Sequence, residues 1–144
     1  IPGITAASAV SARLGAPLGH DFAVISLSDL LTPWEIIERR LEYAANADFV
    51  IVLYNPKSKE REWQVKKAVE ILTKCKNPNT PVGIVKNAMR ENESIQITTL
   101  NNLLNYDIDM FTTIIVGNSK TFVYNEKMIT SRGYTSKYDL KGTQ

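Results

Sequence analysis

Three segments carry residues able to hold a small polar ligand: Tyr54-Asn55-Pro56, Lys86-Asn87-Ala88 and Gly117-Asn118-Ser119. Each follows an apolar run, at Phe49 to Leu53, Val82 to Val85 and Thr112 to Val116. A buried strand ending in asparagine leaves free backbone groups beside a short amide, and open α/β sheets bind ligands outside the carboxyl ends of their strands. The pattern predicts a rim of strand ends around one small polar ligand. Asparagine also tolerates the left-handed backbone of a tight turn, so each residue taken singly has a purely conformational explanation as well.

A fourth segment, Pro2-Gly3-Ile4-Thr5-Ala6-Ala7, runs from a glycine turn into a helix of small residues. The first N–H groups of such a helix can meet an anionic or carbonyl-bearing ligand. Close packing of the helix explains the small residues equally well. The segment lacks both the GxGxxG spacing of dinucleotide sites and the P-loop lysine and serine, which disfavours nucleotide phosphates. Arg13, Arg90 and Arg132 stand near the candidate loops and can pair with the carboxylates of an acidic ligand, or remain solvated.

Other chemistries find no support. His20 has neither a nucleophile elbow nor a spaced partner, and Cys75 has no neighbours at metal-ligand spacing. The 17 basic and 15 acidic residues leave +2 and are spread along the chain, which gives nucleic-acid binding no footing. The longest apolar stretch, Phe49 to Tyr54, is far short of the roughly 20 residues that span a bilayer. With no signal-peptide pattern at its start, the chain reads as cytoplasmic.

The elements that must position these residues follow from periodicity and punctuation. Thr5 to Leu14 reads as a helix ended by Gly15 and Pro17, and Phe22 to Leu27 as a strand. Thr32 as N-cap, Pro33 and Glu35 predict a helix start with a capping box, and Ile37, Leu41, Ala44 and Ala45 share its apolar face. Ser58 and Glu60 open a further helix in which Val65, Ala68, Val69 and Leu72 repeat at helical spacing. Ile95 to Thr99 reads as a strand, Leu100 to Leu104 as one or two helical turns, and Phe122 to Thr130 as a hairpin. The tail beyond Tyr134 is polar and expected to fray. Alternating strands and helices with a final hairpin predict an α/β domain, a mixed sheet with flanking helices. The composition, 44% hydrophobic and 22% charged over 144 residues, suits one domain with its own core.

Several of these segments are recognisable. Pro2-Gly3-Ile4-Thr5-Ala6-Ala7 and Leu14-Gly15-Ala16-Pro17-Leu18-Gly19-His20-Asp21-Phe22 resemble the tetrapyrrole methylase superfamily. Ile25-Ser26-Leu27-Ser28-Asp29-Leu30-Leu31-Thr32-Pro33-Trp34, Tyr54-Asn55-Pro56-Lys57-Ser58 and Thr113-Ile114-Ile115-Val116-Gly117-Asn118-Ser119 are similar to its branch of precorrin-3B C17-methyltransferases, and Met128 to Tyr134 fits that branch's C-terminal signature. The resemblance implies an S-adenosyl-L-methionine-dependent methyltransferase of cobalamin biosynthesis that also contracts its macrocycle. It implies two α/β domains with the cofactor in the cleft between them, the tetrapyrrole in an adjoining trough, and a homodimer.

By that resemblance residues 1–144 form the C-terminal domain, without the N-terminal domain that carries a Gly-Asp-Pro cofactor loop. The start at Ile1-Pro2-Gly3, inside what reads as a connection, fits the same expectation of an excised piece. Thr5 and Ala6 would contact the cofactor, Asn55 would stand at a cofactor-contacting position and Ala88 would line the adenosine pocket, with Tyr54, Asn87 and Ser119 as extensions of the site. Asp29 and Arg90 are the candidates for proton movement during ring contraction. Arg90 and Arg132 would face the acetate and propionate groups of the substrate. Neighbouring readings are the C11 methylase of the same pathway, diphthine synthase, and a non-catalytic domain that binds cofactor or dimerises.

Overall fold

The computed structural model describes residues 1–134, so the polar tail beyond Tyr134 lies outside the described residues. Among the described residues there are two sheets and three α-helices, in the order α1 (Ala6–Leu14), β1 (Gly15–Ala16), β2 (Phe22–Ser26), α2 (Trp34–Asn46), β3 (Val50–Tyr54), α3 (Trp63–Cys75), β4 (Pro81–Lys86), β5 (Ser94–Thr99), a 3-10 turn (Leu100–Asn105), β6 (Thr112–Val116), β7 (Thr121–Tyr124) and β8 (Lys127–Thr130). The larger sheet is mixed, as predicted, with strand order β2-β3-β6-β4-β5. β2 runs parallel to β3, while β6 is antiparallel to both β3 and β4. β3 and β4 therefore point the same way with β6 reversed between them. The smaller sheet joins β1 to the terminal hairpin in the order β1-β8-β7.

The continuous apolar run of β3 is explained by two cores, one on each face of the sheet. Ile51 and Leu53 enter a core with Ile37 and Leu41 of α2 and Ala68 and Leu72 of α3. Val50 and Val52 point the other way, onto Ala7, Val10 and Leu14 of α1 and Met128 of β8. A strand covered on both faces has no wet side, so its sequence does not alternate. Gly83 lets α1 approach, because a Cβ there would stand 2.3 Å from Cδ1 of Leu14. Trp34 and Trp63, at the starts of α2 and α3, meet edge to face with ring centroids 4.8 Å apart.

The starts of α2 and α3 depart from expectation. The predicted capping box at Thr32 is not made: α2 begins at Trp34, its N-cap is Pro33 in an extended conformation, and no side chain caps it. The Pro33 carbonyl accepts from Ile36 N–H and Ile37 N–H instead. Helix α3 begins at Trp63 and not near Ser58, because Ser58 and Arg61 exchange backbone hydrogen bonds of 3.1 and 3.3 Å and close a tight turn that cannot continue as helix. Helix α1 ends at Leu14 as its glycine predicts, with Gly15 at φ 132°. β1, unforeseen in the sequence, follows at once. No helix among the described residues is long and apolar enough to cross a membrane.

Candidate functional site

Since β3 and β4 are parallel, Tyr54-Asn55 and Asn87-Ala88 emerge at the same end of the large sheet. Both asparagines turn the chain in the left-handed region, each at φ 51°. The conformational explanation thus applies to both, and both stand at the one sheet end that the site explanation requires. Asn55 Nδ2 donates to Ser26 Oγ at 2.9 Å, which steadies the adjacent end of β2. Asn87 N–H donates to the Phe111 carbonyl at 3.2 Å, tying the start of β6 to the same place.

The N-terminus of α1 closes the group. Tyr54 reaches it with its phenol, which accepts from Ala7 N–H at 2.7 Å and shares a 2.7 Å hydrogen bond with the Thr5 hydroxyl. One of the orphan N–H groups of the first helical turn is thereby satisfied from a strand end. A cavity of about 380 Å³ lies between these parts, lined by Ile4, Ala6, Ala9 and Val10, by Tyr54 and Asn55, by Val85, Asn87, Ala88 and Arg90, and by Met110 to Thr113. Its walls are apolar or neutral except for Arg90, whose exposed side chain has no partner among the described residues.

The loop after β4 is rigidly tied. Glu93 accepts from Met89 N–H at 2.6 Å and pairs with Arg13 at 2.7 Å. These donors, the Met89 amide foremost and the Arg13 guanidinium next, hold the Glu93 carboxyl below the usual glutamate range. Arg13 is thereby occupied inside the protein and does not wait for an acidic ligand. At the end of β4, Lys86 pairs with Asp109, which raises the lysine pKa above its ordinary value.

Of the predicted site residues the structure brings together Ala6, Tyr54, Asn55, Asn87, Ala88 and Arg90 at one cavity, with Thr5 bonded to its tyrosine. Ser119 and Asn118 are not part of this group. Because β6 is antiparallel to β3 and β4, its carboxyl end lies at the opposite end of the sheet, where Gly117 N–H meets the carbonyl of Pro81 at the start of β4. There Asn118 Oδ1 accepts from Lys120 N–H and closes a turn, and the Ser119 hydroxyl donates to Asp48. The expected rim of three strand ends is therefore two strand ends and the amino end of a third strand. Arg132 does not line the cavity.

Asp29 stands apart from the cavity. Its Oδ1 accepts from Arg61 at 2.6 Å and from Gln64 at 3.1 Å. The Arg61 hydrogen bond, chiefly, keeps its carboxyl below the usual aspartate range, so at neutral pH it is an anion and a poor base. Residues missed in the sequence are Ala9 and Val10, which read only as helix packing, and Met110 to Thr113, at the amino end of a strand whose direction no local pattern reveals.

The family model for tetrapyrrole (corrin/porphyrin) methylases matches residues 1–104. The chain belongs to the tetrapyrrole methylase family. Among other members, the cobalt-factor III methyltransferase of Priestia megaterium is 54% identical over 144 residues, covering 100% of this chain and 27% of that protein. The probable cobalt-factor III C(17)-methyltransferase of Salmonella typhimurium is 51% identical over 135 residues, covering 94% of this chain and 56% of its own length. The crystal structure of the methyltransferase CobJ superposes with a TM-score of 0.83 at 38% identity, over 90% of this chain and 54% of that one. This tetrapyrrole methylase chain thus spans about half or less of the length of these relatives.

Proposed function

We propose that this chain is the C-terminal domain of a two-domain enzyme that transfers a methyl group from S-adenosylmethionine to C17 of a precorrin-3B or cobalt-factor III type tetrapyrrole, with ring contraction, in cobalamin biosynthesis. The observation that carries the reading is the convergence of Tyr54-Asn55, Asn87-Ala88 and the start of α1 on one cavity, in a chain 54% identical to a cobalt-factor III methyltransferase. Further support comes from the likeness to CobJ over 90% of the chain.

The cavity fits the cofactor in size and character. At about 380 Å³ and open on one side, it offers apolar walls with small residues at Ala6 and Ala88 and amides at Asn55 and Asn87. In this reading Ala6, Ala88 and Val85 receive the adenosine, and Asn55 and Asn87 hydrogen-bond its polar edges. The cofactor supplies an electrophilic methyl group on a sulfonium. Methyl transfer to a nucleophilic ring carbon needs alignment and exclusion of water more than proton chemistry, which accounts for a cavity with one charged residue. Tyr54 holds the α1 wall against the strand ends, and Ile4, Val10 and Phe111 keep water out. Arg90 faces the acidic arms of the substrate. A homodimer in the cytoplasm is part of the same proposal.

The test is to supply the full-length enzyme with S-adenosylmethionine labelled at its methyl carbon and with cobalt-factor III or precorrin-3B, and to locate the label by NMR. Label at C17 supports the reading. Label at C11, or none on either macrocycle, overturns it.

A further inference from the structure

We propose that a second cavity beside the first is a subsite for a carboxylate arm of the substrate, with Arg61 as the receiving group and Asp29 as the residue that positions it. This rests on the functional reading above and extends it to a cluster outside the cofactor cavity.

The second cavity, of about 210 Å³, includes Leu27, Ser28, Leu30, Lys57, Arg61 and Gln64 in its lining. Asn55 and Met110 line both cavities, so the two adjoin. Arg61 is anchored at both its ends. Its backbone is locked into the Ser58 turn by two hydrogen bonds. Its guanidinium is held at one nitrogen, Nη1, by Asp29 Oδ1, and the same oxygen accepts from the buried Gln64.

The other N–H groups of the guanidinium have no partner among the described residues. A guanidinium fixed at one corner presents its remaining donors in the planar geometry that matches both oxygens of a carboxylate. Lys57 lies in the same lining but is paired with Glu62 at 3.0 Å, which leaves Arg61 as the principal receiver. Leu30 and Met110, both exposed, flank the opening. An apolar lip around a fixed cation suits the edge of a flat, acid-bearing macrocycle more than a small free anion. Asp29 consequently acts through Arg61 and is a positioning residue, not the proton carrier considered from sequence.

The experiment uses the full-length enzyme, with Arg61→Gln, Arg61→Lys and Asp29→Asn. Substrate KM and kcat are measured, together with binding of uroporphyrin, of its fully amidated form, and of S-adenosylhomocysteine. Arg61→Gln is expected to raise KM and weaken uroporphyrin binding by about ten- to a hundredfold, the range for loss of a hydrogen bond to a charged group. S-adenosylhomocysteine affinity stays near that of the parent, which also shows that the variant is folded. Arg61→Lys recovers part of the loss, Asp29→Asn gives a smaller loss in the same direction, and the amidated probe binds parent and variant alike. An unchanged KM in Arg61→Gln overturns the subsite while leaving the functional reading intact. Equal losses for the acid and amide probes overturn it too, because they mark a scaffolding role. If the parent enzyme binds S-adenosylhomocysteine yet methylates no tetrapyrrole, the functional reading fails and the subsite falls with it.

Discussion

At the scale of single residues, asparagine after an apolar run pointed to one shared cavity at Asn55 and Asn87 and away from it at Asn118. The same left-handed turn that makes asparagine suitable, φ 51° at both site positions, also brings its amide to the end of a strand. Asn55→Gly and Asn55→Ala separate the two roles. Glycine keeps the backbone, whereas alanine adds about 1–2 kcal/mol of left-handed strain, read as a lower midpoint in urea unfolding. Both are expected to weaken S-adenosylhomocysteine in calorimetry; a glycine variant with parent affinity would reduce Asn55 to a turn residue. Tyr54→Phe removes the acceptor of Ala7 N–H and is expected to cost about 1–3 kcal/mol of stability, as for a buried donor left unpaired. The link between Tyr54 and Thr5, 49 positions apart, was invisible in the sequence because neither residue's local pattern names its partner.

Among the elements, the helices were legible in their faces and less so in their ends. Ile37, Leu41, Ala44 and Ala45 are buried as their spacing predicts, while the turn at Ser58 delays α3 through backbone bonds that side-chain type does not announce. Strand direction was the larger omission. The antiparallel setting of β6 sends Asn118 and Ser119 away from the cavity and brings Met110 to Thr113 into it. Ser119→Ala is therefore expected to leave S-adenosylhomocysteine affinity unchanged. Gly83→Ala would press a methyl group into Leu14 and is expected to destabilise the protein by about 1–3 kcal/mol through overpacking beneath α1, visible as a lower melting temperature.

The loop after β4 carries a pH dependence. Glu93 has its pKa lowered from 4.5 in the folded state, so the unfolded chain binds its proton more readily. Its contribution is complete above about pH 4.5 and is lost as the pH falls through the lower folded value. The protection of the Met89 amide relative to its intrinsic exchange rate is expected to fall over that acid range, and Glu93→Gln is expected to remove the transition. Persistence of the same acid transition in Glu93→Gln would assign it elsewhere.

For the molecule as a whole, the α/β class and mixed sheet were legible because each apolar run and each helical face pointed to the same layers. The second, small sheet was not, since Gly15-Ala16 contributes only a two-residue strand to it. A domain covering 54% of the CobJ chain supplies, on this account, one wall of a cleft. The 144-residue chain alone is accordingly expected to show negligible methyl transfer in the labelled-cofactor assay, and turnover comparable with the full-length enzyme would contradict the two-domain proposal. The central claim is the location of the donor at the shared ends of β3 and β4. Hydrogen exchange of the full-length enzyme with and without S-adenosylhomocysteine tests it most directly. Added protection at Thr5 to Ala7, Tyr54-Asn55 and Asn87-Ala88, with none at Asn118-Ser119, is the predicted result; protection confined to Asn118-Ser119, or absent from all of them while the ligand is bound, would contradict it.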